Sequence, residues 1–119
     1  MKLLPVIAVI VLVTITGCSP SSSTTYYWGN YSSSLYDYKK APDEKTLAAH
    51  VTQLVKIIEQ ADKKGKKVPP GIHAEYGYFL LKEGKEQEGM EHLDKEISLY
   101  PESLTFIKII KAQYTKGKK

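Results

Sequence analysis

Four breaks divide the chain into lengths suited to helices and leave no room for a sheet. They are Pro42, the run Lys63-Lys64-Gly65-Lys66-Lys67 with Pro69-Pro70 behind it, Gly84, and Pro101. Proline disfavours helix at the residue before it and cannot donate inside one, while glycine ends a helix at low steric cost, so each break sets a boundary. Before Pro42, Tyr31, Leu35 and Tyr38 fall at i, i+4 and i+7, which predicts a short helix over 31–40. Asp43 can cap the next, where Leu47, Val51, Leu54, Val55, Ile58 and Ala61 keep the 3.6-residue period over 43–64. Ile72, Tyr76, Phe79 and Leu80 mark a third helix that stops at Gly84. Met90, Leu93, Ile97 and Tyr100 mark a fourth, ended by Pro101. Leu104, Ile107, Ile110 and Tyr114 mark a fifth over 102–115. No stretch alternates apolar and polar residues between turn signals, so the predicted fold class is all-α.

Residues 70–101 resemble a tetratricopeptide repeat, a helix-turn-helix unit of about 34 residues that stacks into solenoids. With Pro101 as the closing proline, Gly77 and Gly89 fall on the small positions where the two helix backbones approach closely. Tyr76 and Leu93 match large positions, and Leu80 stands where an aromatic is usual. His73 in place of the usual Trp and Glu96 in place of a usual Ala depart from the pattern, so the repeat is a divergent one. The pair 31–40 and 43–64 reads as a second, more degenerate unit, with the helix at 102–115 covering the open end. A plain bundle of α-hairpins is the alternative. Gly65, in the lysine-rich linker, is expected to accept Ala unless its φ is positive.

The N-terminus carries a different signal. Met1 and Lys2 precede residues 3–13 (LLPVIAVIVLV), an apolar run shorter than the roughly 20 residues that span a bilayer. Thr14-Ile15-Thr16-Gly17-Cys18 then resembles the lipobox of bacterial lipoproteins. That resemblance implies a signal peptide over 1–17, cleavage before Cys18, a diacylglyceryl thioether on its sulfur and an acylated (palmitate-type) amine. Ser19, rather than Asp, after the lipidated residue implies the outer membrane of a Gram-negative cell, facing the periplasm. Residues 18–25 form the lipidated Cys and a Ser/Thr-rich flexible tether, 26–116 the tetratricopeptide-like helical domain, and 117–119 a basic tail. Cys18 is the single cysteine, so no internal disulfide is available, and the roughly 100 residues behind the signal suffice for one small domain.

The formal net charge is +4, yet the chain contains no Arg. Nucleic-acid and phosphate sites favour the planar guanidinium fork, so this composition argues against both and no nucleic-acid partner is expected. The lysine clusters at 63–67 and 116–119 suit the negative ends of helices, or anionic lipid heads, or an acidic partner. Candidate chemistry is sparse. Glu88, Glu91, His92 and Glu96 include helical i, i+3 and i, i+4 pairs, but no second carboxylate–histidine helix or HExxH completes a metal site. His50 has no evident catalytic context, His73 reads as a packing residue with one satisfied nitrogen, and no serine has a nucleophile elbow or an identifiable base. No P-loop or dinucleotide fingerprint is present. The chain is expected to be neither an enzyme nor a cofactor or metal binder.

Residues 26–38 (YYWGNYSSSLYDY) hold five of the nine tyrosines and the only tryptophan. Tyr31 and Leu35 continue the helical period and read as core. Tyr26, Tyr27 and Trp28 do not, and are candidate partner contacts or a cap on the helical stack. Tyr27-Trp28-Gly29-x-Tyr31, Leu35-Tyr36-x-Tyr38, Pro70-Gly71-x-His73-Ala74-Glu75-Tyr76-Gly77-Tyr78, Glu96 and Tyr100-Pro101-Glu102-Ser103 together resemble a family of small Gram-negative lipoproteins designated only as a domain of unknown function. Its members are commonly encoded beside a lipoprotein similar to the curli secretion channel. That neighbourhood implies a role in an outer-membrane assembly, with such a channel-like lipoprotein as a candidate partner. The concave face of a short helical repeat, tethered near the membrane, is expected to act as a protein-binding module. A structural brace within a larger lipoprotein complex is the alternative.

Overall fold

The computed structural model describes residues 24–118. The signal peptide at 1–17, Cys18 and most of the tether lie outside the described residues. In chain order the structure contains α1 (Tyr31–Lys40), α2 (Glu44–Lys63), α3 (Ile72–Lys82), α4 (Glu86–Leu99), one turn of 3-10 helix (Pro101–Ser103) and α5 (Leu104–Gly117). Apart from an isolated parallel bridge between Tyr26 and Lys67, the described chain is all-helical, as its punctuation predicts.

The breaks act through local chemistry. Asp43 Oδ1 accepts from the Thr46 amide at 2.7 Å and Thr46 Oγ1 accepts from the Asp43 amide at 3.2 Å, a reciprocal cap at the start of α2. Gly65 turns the chain out of α2 with φ +61, a conformation that disfavours a side chain, so the linker glycine is less replaceable than its exposure suggests.

Successive helices run antiparallel: Ser34 meets His50, His50 meets Glu75, Gly77 meets Gly89, and Asp94 pairs with Lys111 at 2.5 Å. Between α3 and α4 the approach is close. A Cβ added to Gly77 lies 2.8 Å from the Gly89 carbonyl oxygen, and one added to Gly89 lies 2.7 Å from Leu81 Cδ2. Two apolar clusters result. Leu54, Ile57 and Ile72 gather Tyr27, Tyr31, Ile58, Val68, Tyr76 and Phe79 around them. Ala74, Leu81, Leu93, Ile107 and Ile110 form the other, with Met90, Ile97 and Tyr114 at its edge. α3 contributes to both.

The buried stripe of α2 is rotated from the one its apolar residues suggest. His50, Leu54, Ile57 and Ala61 are fully buried, while Leu47, Val51, Val55 and Ile58 are only half-buried. A histidine thus takes a core position that an apolar count passes over. Leu104, expected on the inner face of α5, is 41 % exposed, because the chain enters that helix through the 3-10 turn and only Ile107 and Ile110 reach the core.

Candidate functional site

The aromatic N-terminal segment is strapped to the linker behind α2. The Tyr27 amide donates to the Lys67 carbonyl and the Lys67 amide to the Thr25 carbonyl, each at 3.0 Å, while Lys66 Nζ donates to Thr24 Oγ1 at 3.1 Å. Thr24 and Thr25, assigned by composition to the tether, are therefore bonded to the domain. Tyr27 packs on the Leu54–Ile57–Ile72 cluster and carries Lys64 Nζ 5.7 Å above its ring. Of the three candidate contacts, Tyr26 and Tyr27 are half-buried. Trp28 is 44 % exposed, its ring 5.5 Å from that of Tyr31.

Beneath this segment lies a row of polar groups. Ser34 Oγ is 2.8 Å from His50 Nδ1, His50 Nε2 is 2.8 Å from Glu75 Oε1, and the Tyr31 hydroxyl donates to Glu75 Oε2 at 2.8 Å. Ser34 Oγ also donates to the Tyr31 carbonyl at 3.0 Å. The row joins α1, α2 and α3 through one imidazole with no exposed surface. Desolvation, then the hydrogen bond to Glu75 and its charge, push the Tyr31 phenol up to about 12, so it remains a donor throughout the physiological range. Long-range packing thus brings Ser34 to a histidine sixteen residues away that the sequence does not pair with it, while the serine proton goes to the Tyr31 carbonyl.

His73 and His92 pair across α3 and α4, Nδ1 to Nδ1 at 2.8 Å with ring centroids 5.1 Å apart, and Tyr76 sets its edge on His92. One ring must carry its proton on Nδ1 and the other accept it there. Burial, then the neighbouring His92 and Lys95, hold His73 down at about 4, and His92 is lowered by its own burial and by Lys95. His73 is thus a buried packing residue held at one nitrogen.

Glu96 turns inward. Its carboxylate accepts from the Gly71 amide at 2.6 Å and the Ala74 amide at 3.2 Å, capping the N-terminus of α3 from the neighbouring helix. The residue that departs from the repeat pattern therefore has a specific structural task. Glu91 instead accepts from Gln87 on its own helix, and no three metal-ligating side chains converge among the described residues.

A groove with a largely apolar lining runs between α3 and α5. Two adjoining cavities of about 350 and 290 Å³ share Tyr78, Ile110 and Gln113. Leu81 and Tyr114 line the first and Phe106 the second. Phe106 is 58 % exposed and Tyr78 41 %. Lys82 and Lys118 stand at one end, Lys82 over the Tyr78 ring and Lys118 paired with Glu86, and Glu75 lines the other. Sequence reasoning missed this site because it followed the inward stripes. Its cue was a pair of aromatics, Tyr78 and Phe106, lying off those stripes.

An all-helical domain of antiparallel hairpins, grooved along α3 and α5, is the class of protein these features define. Residues 25–110 match the family described as Domain of unknown function (DUF4810), and the chain belongs to that family. No curated protein and no solved structure matches it. None of the described helices is long and apolar enough to cross a membrane.

Proposed function

We propose that this chain is an outer-membrane-anchored lipoprotein whose helical domain is a non-enzymatic protein-binding module in an envelope or secretion-associated lipoprotein assembly. The observation that carries the reading is the α3–α5 groove, where Tyr78 and Phe106 stand open beside Ile110 with no covering element among the described residues. Large exposed aromatics in a concave apolar site are the residues that dominate interface energies. The close Gly77–Gly89 contact supports a divergent tetratricopeptide-like hairpin, in which α3 and α5 line the inner face. The occupant is a segment of a partner lipoprotein, apolar along one side and acidic toward the Lys82 end, and the channel-like lipoprotein implied by the family resemblance is the first candidate. A non-enzymatic role is favoured because Ser34 meets an imidazole buried between three helices, beyond the reach of a substrate.

The anchor reading rests on the lipobox at Cys18. Cys18→Ser should abolish lipidation and change membrane fractionation, and a mature N-terminus found by mass spectrometry anywhere but Cys18 overturns it. For the binding reading, lipidated wild type and a Tyr78→Ala/Phe106→Ala variant are purified from membranes and their companions identified. The variant should keep its circular-dichroism melt and lose the partner. Unchanged co-purification refutes the groove as the docking site. The exposure of Trp28 favours a second reading, a brace that contacts its complex through the aromatic segment, in which case Trp28→Ala alone removes association.

A further inference from the structure

We infer that the cleft between the α2–α3 linker and α4 takes the phosphate headgroup of an anionic phospholipid, so that the domain meets the membrane with this face. The inference rests on the proposed anchor at Cys18 only to bring the cleft to a bilayer. The cleft holds about 290 Å³, with Lys66 and Lys67 of the linker and Lys95 of α4 along it. His73 forms part of its wall, Leu99 gives it an exposed aliphatic edge, and Asp62 is the one described carboxylate lining it. Lys63 and Lys64 extend the positive charge beside it. None of these five ammonium groups is ion-paired with a described carboxylate, so their charge is not neutralised within the domain.

The course of the chain points the same face at the anchor. Lys66 Nζ donates to Thr24 Oγ1, and Lys67 is bonded through both its amide and its carbonyl to the segment 25–27. The N-terminal segment thus leaves the domain at the rim of the cleft. Six peptide steps separate Thr24 from Cys18, which at full extension reach about 20–22 Å. A lipid on Cys18 keeps the lysines within reach of direct contact with the headgroups, and at contact, inside one Debye length, each ammonium is attracted by about 1 kcal/mol to an anionic surface.

Residues 18–119, which include every contact described above, provide the test. Their single cysteine, Cys18, is coupled by a thioether to a maleimide lipid in vesicles, so the anchor does not depend on cellular lipidation and the two readings fail separately. One set of vesicles is phosphatidylcholine and the other contains a third of phosphatidylglycerol. Lysine acetylation is then read by mass spectrometry. Lys66, Lys67 and Lys95 should react about fivefold more slowly on the anionic vesicles. Lys39 and Lys108 should be unchanged, and high salt should erase the difference. In a Lys66→Gln/Lys67→Gln/Lys95→Gln variant with an unaltered circular-dichroism spectrum, the slowing at Lys63 and Lys64 should disappear. Equal rates on both vesicles, or uniform slowing that includes Lys39 and Lys108, overturns the inference. Equal protection by inorganic phosphate at matched phosphate concentration overturns the assignment to lipid.

Discussion

The two ends of the domain are held together by different means. At the N-terminal end, α1, α2 and α3 meet through His50, Ser34, Glu75 and Tyr31, with Tyr38 stacked and Phe79 edge-on to the imidazole. At the C-terminal end, α3, α4 and α5 meet through Leu81, Leu93, Ile107 and Ile110 and through the contact of two glycines. Aliphatic burial is tolerant of direction but demands volume. A buried polar row demands that every donor find its acceptor, and in return fixes one register. The N-terminal end therefore adds a register-fixing polar row to its own Leu54–Ile57–Ile72 cluster, while aliphatic packing and the glycine contact join α3 to α4 and α5 at the other, with α3 common to both.

Substitutions should separate the two regimes, and the largest effects are expected at the aliphatic end. Leu93 has no exposed surface, so Leu93→Ala should cost about 2–5 kcal/mol through lost contacts and a cavity, measured by urea unfolding at pH 7. Gly77→Leu should cost about 1–3 kcal/mol from overpacking, toward the upper figure because the obstacle is the Gly89 backbone. A melting temperature equal to wild type would show that α3 and α4 do not touch as described.

Polar substitutions come next. Glu96→Gln replaces an acceptor pair aimed at the Gly71 and Ala74 amides with a group that offers one oxygen, and should cost about 1–3 kcal/mol. His50→Leu keeps bulk but strands Ser34 and Glu75, with a similar expected loss. If Leu proved neutral there, the N-terminal end would depend on shape after all.

A pH titration sharpens the contrast further. His73 is ordinarily protonated below 6.5 but in the fold only below about 4, so the unfolded chain takes up the proton first. Its contribution to stability is complete above 6.5 and is lost as pH falls toward 4. Wild type should accordingly lose more stability between pH 7 and pH 5 than His73→Gln, compared by urea midpoints. Parallel loss in both would remove the histidine pair from the account. The smallest effects belong to the surface: Gly65→Ala should cost about 1 kcal/mol through its positive φ, visible as a small shift in melting temperature.

Much of this fold was legible beforehand because prolines, glycines and an Asp cap act locally. Pro42, Gly84 and Pro101 end helices by steric rules that need no knowledge of the rest of the chain. The close contact of Gly77 with Gly89 was legible through the repeat pattern. What escaped was whatever depends on a partner far away in sequence. His50 is in the core only because Ser34 and Glu75 satisfy both its nitrogens, and Glu96 is buried only because the start of α3 offers it two amides. Hydrophobicity patterns assign both residues to the surface. The groove escaped for the opposite reason: Tyr78 and Phe106 are apolar yet open, and periodicity is informative about inward faces alone.

The bridge between Tyr26 and Lys67 has a mechanical meaning. A pull on the N-terminal segment loads two backbone hydrogen bonds, at Thr25 and at Tyr27, together rather than in succession, because both converge on Lys67. Tyr27, lodged on the Leu54–Ile57–Ile72 cluster, must be drawn out before the strain can reach α1. The strap therefore acts as a strain relief, like the clamp on a cable. Load entering along the segment meets the linker behind α2 before it meets α1.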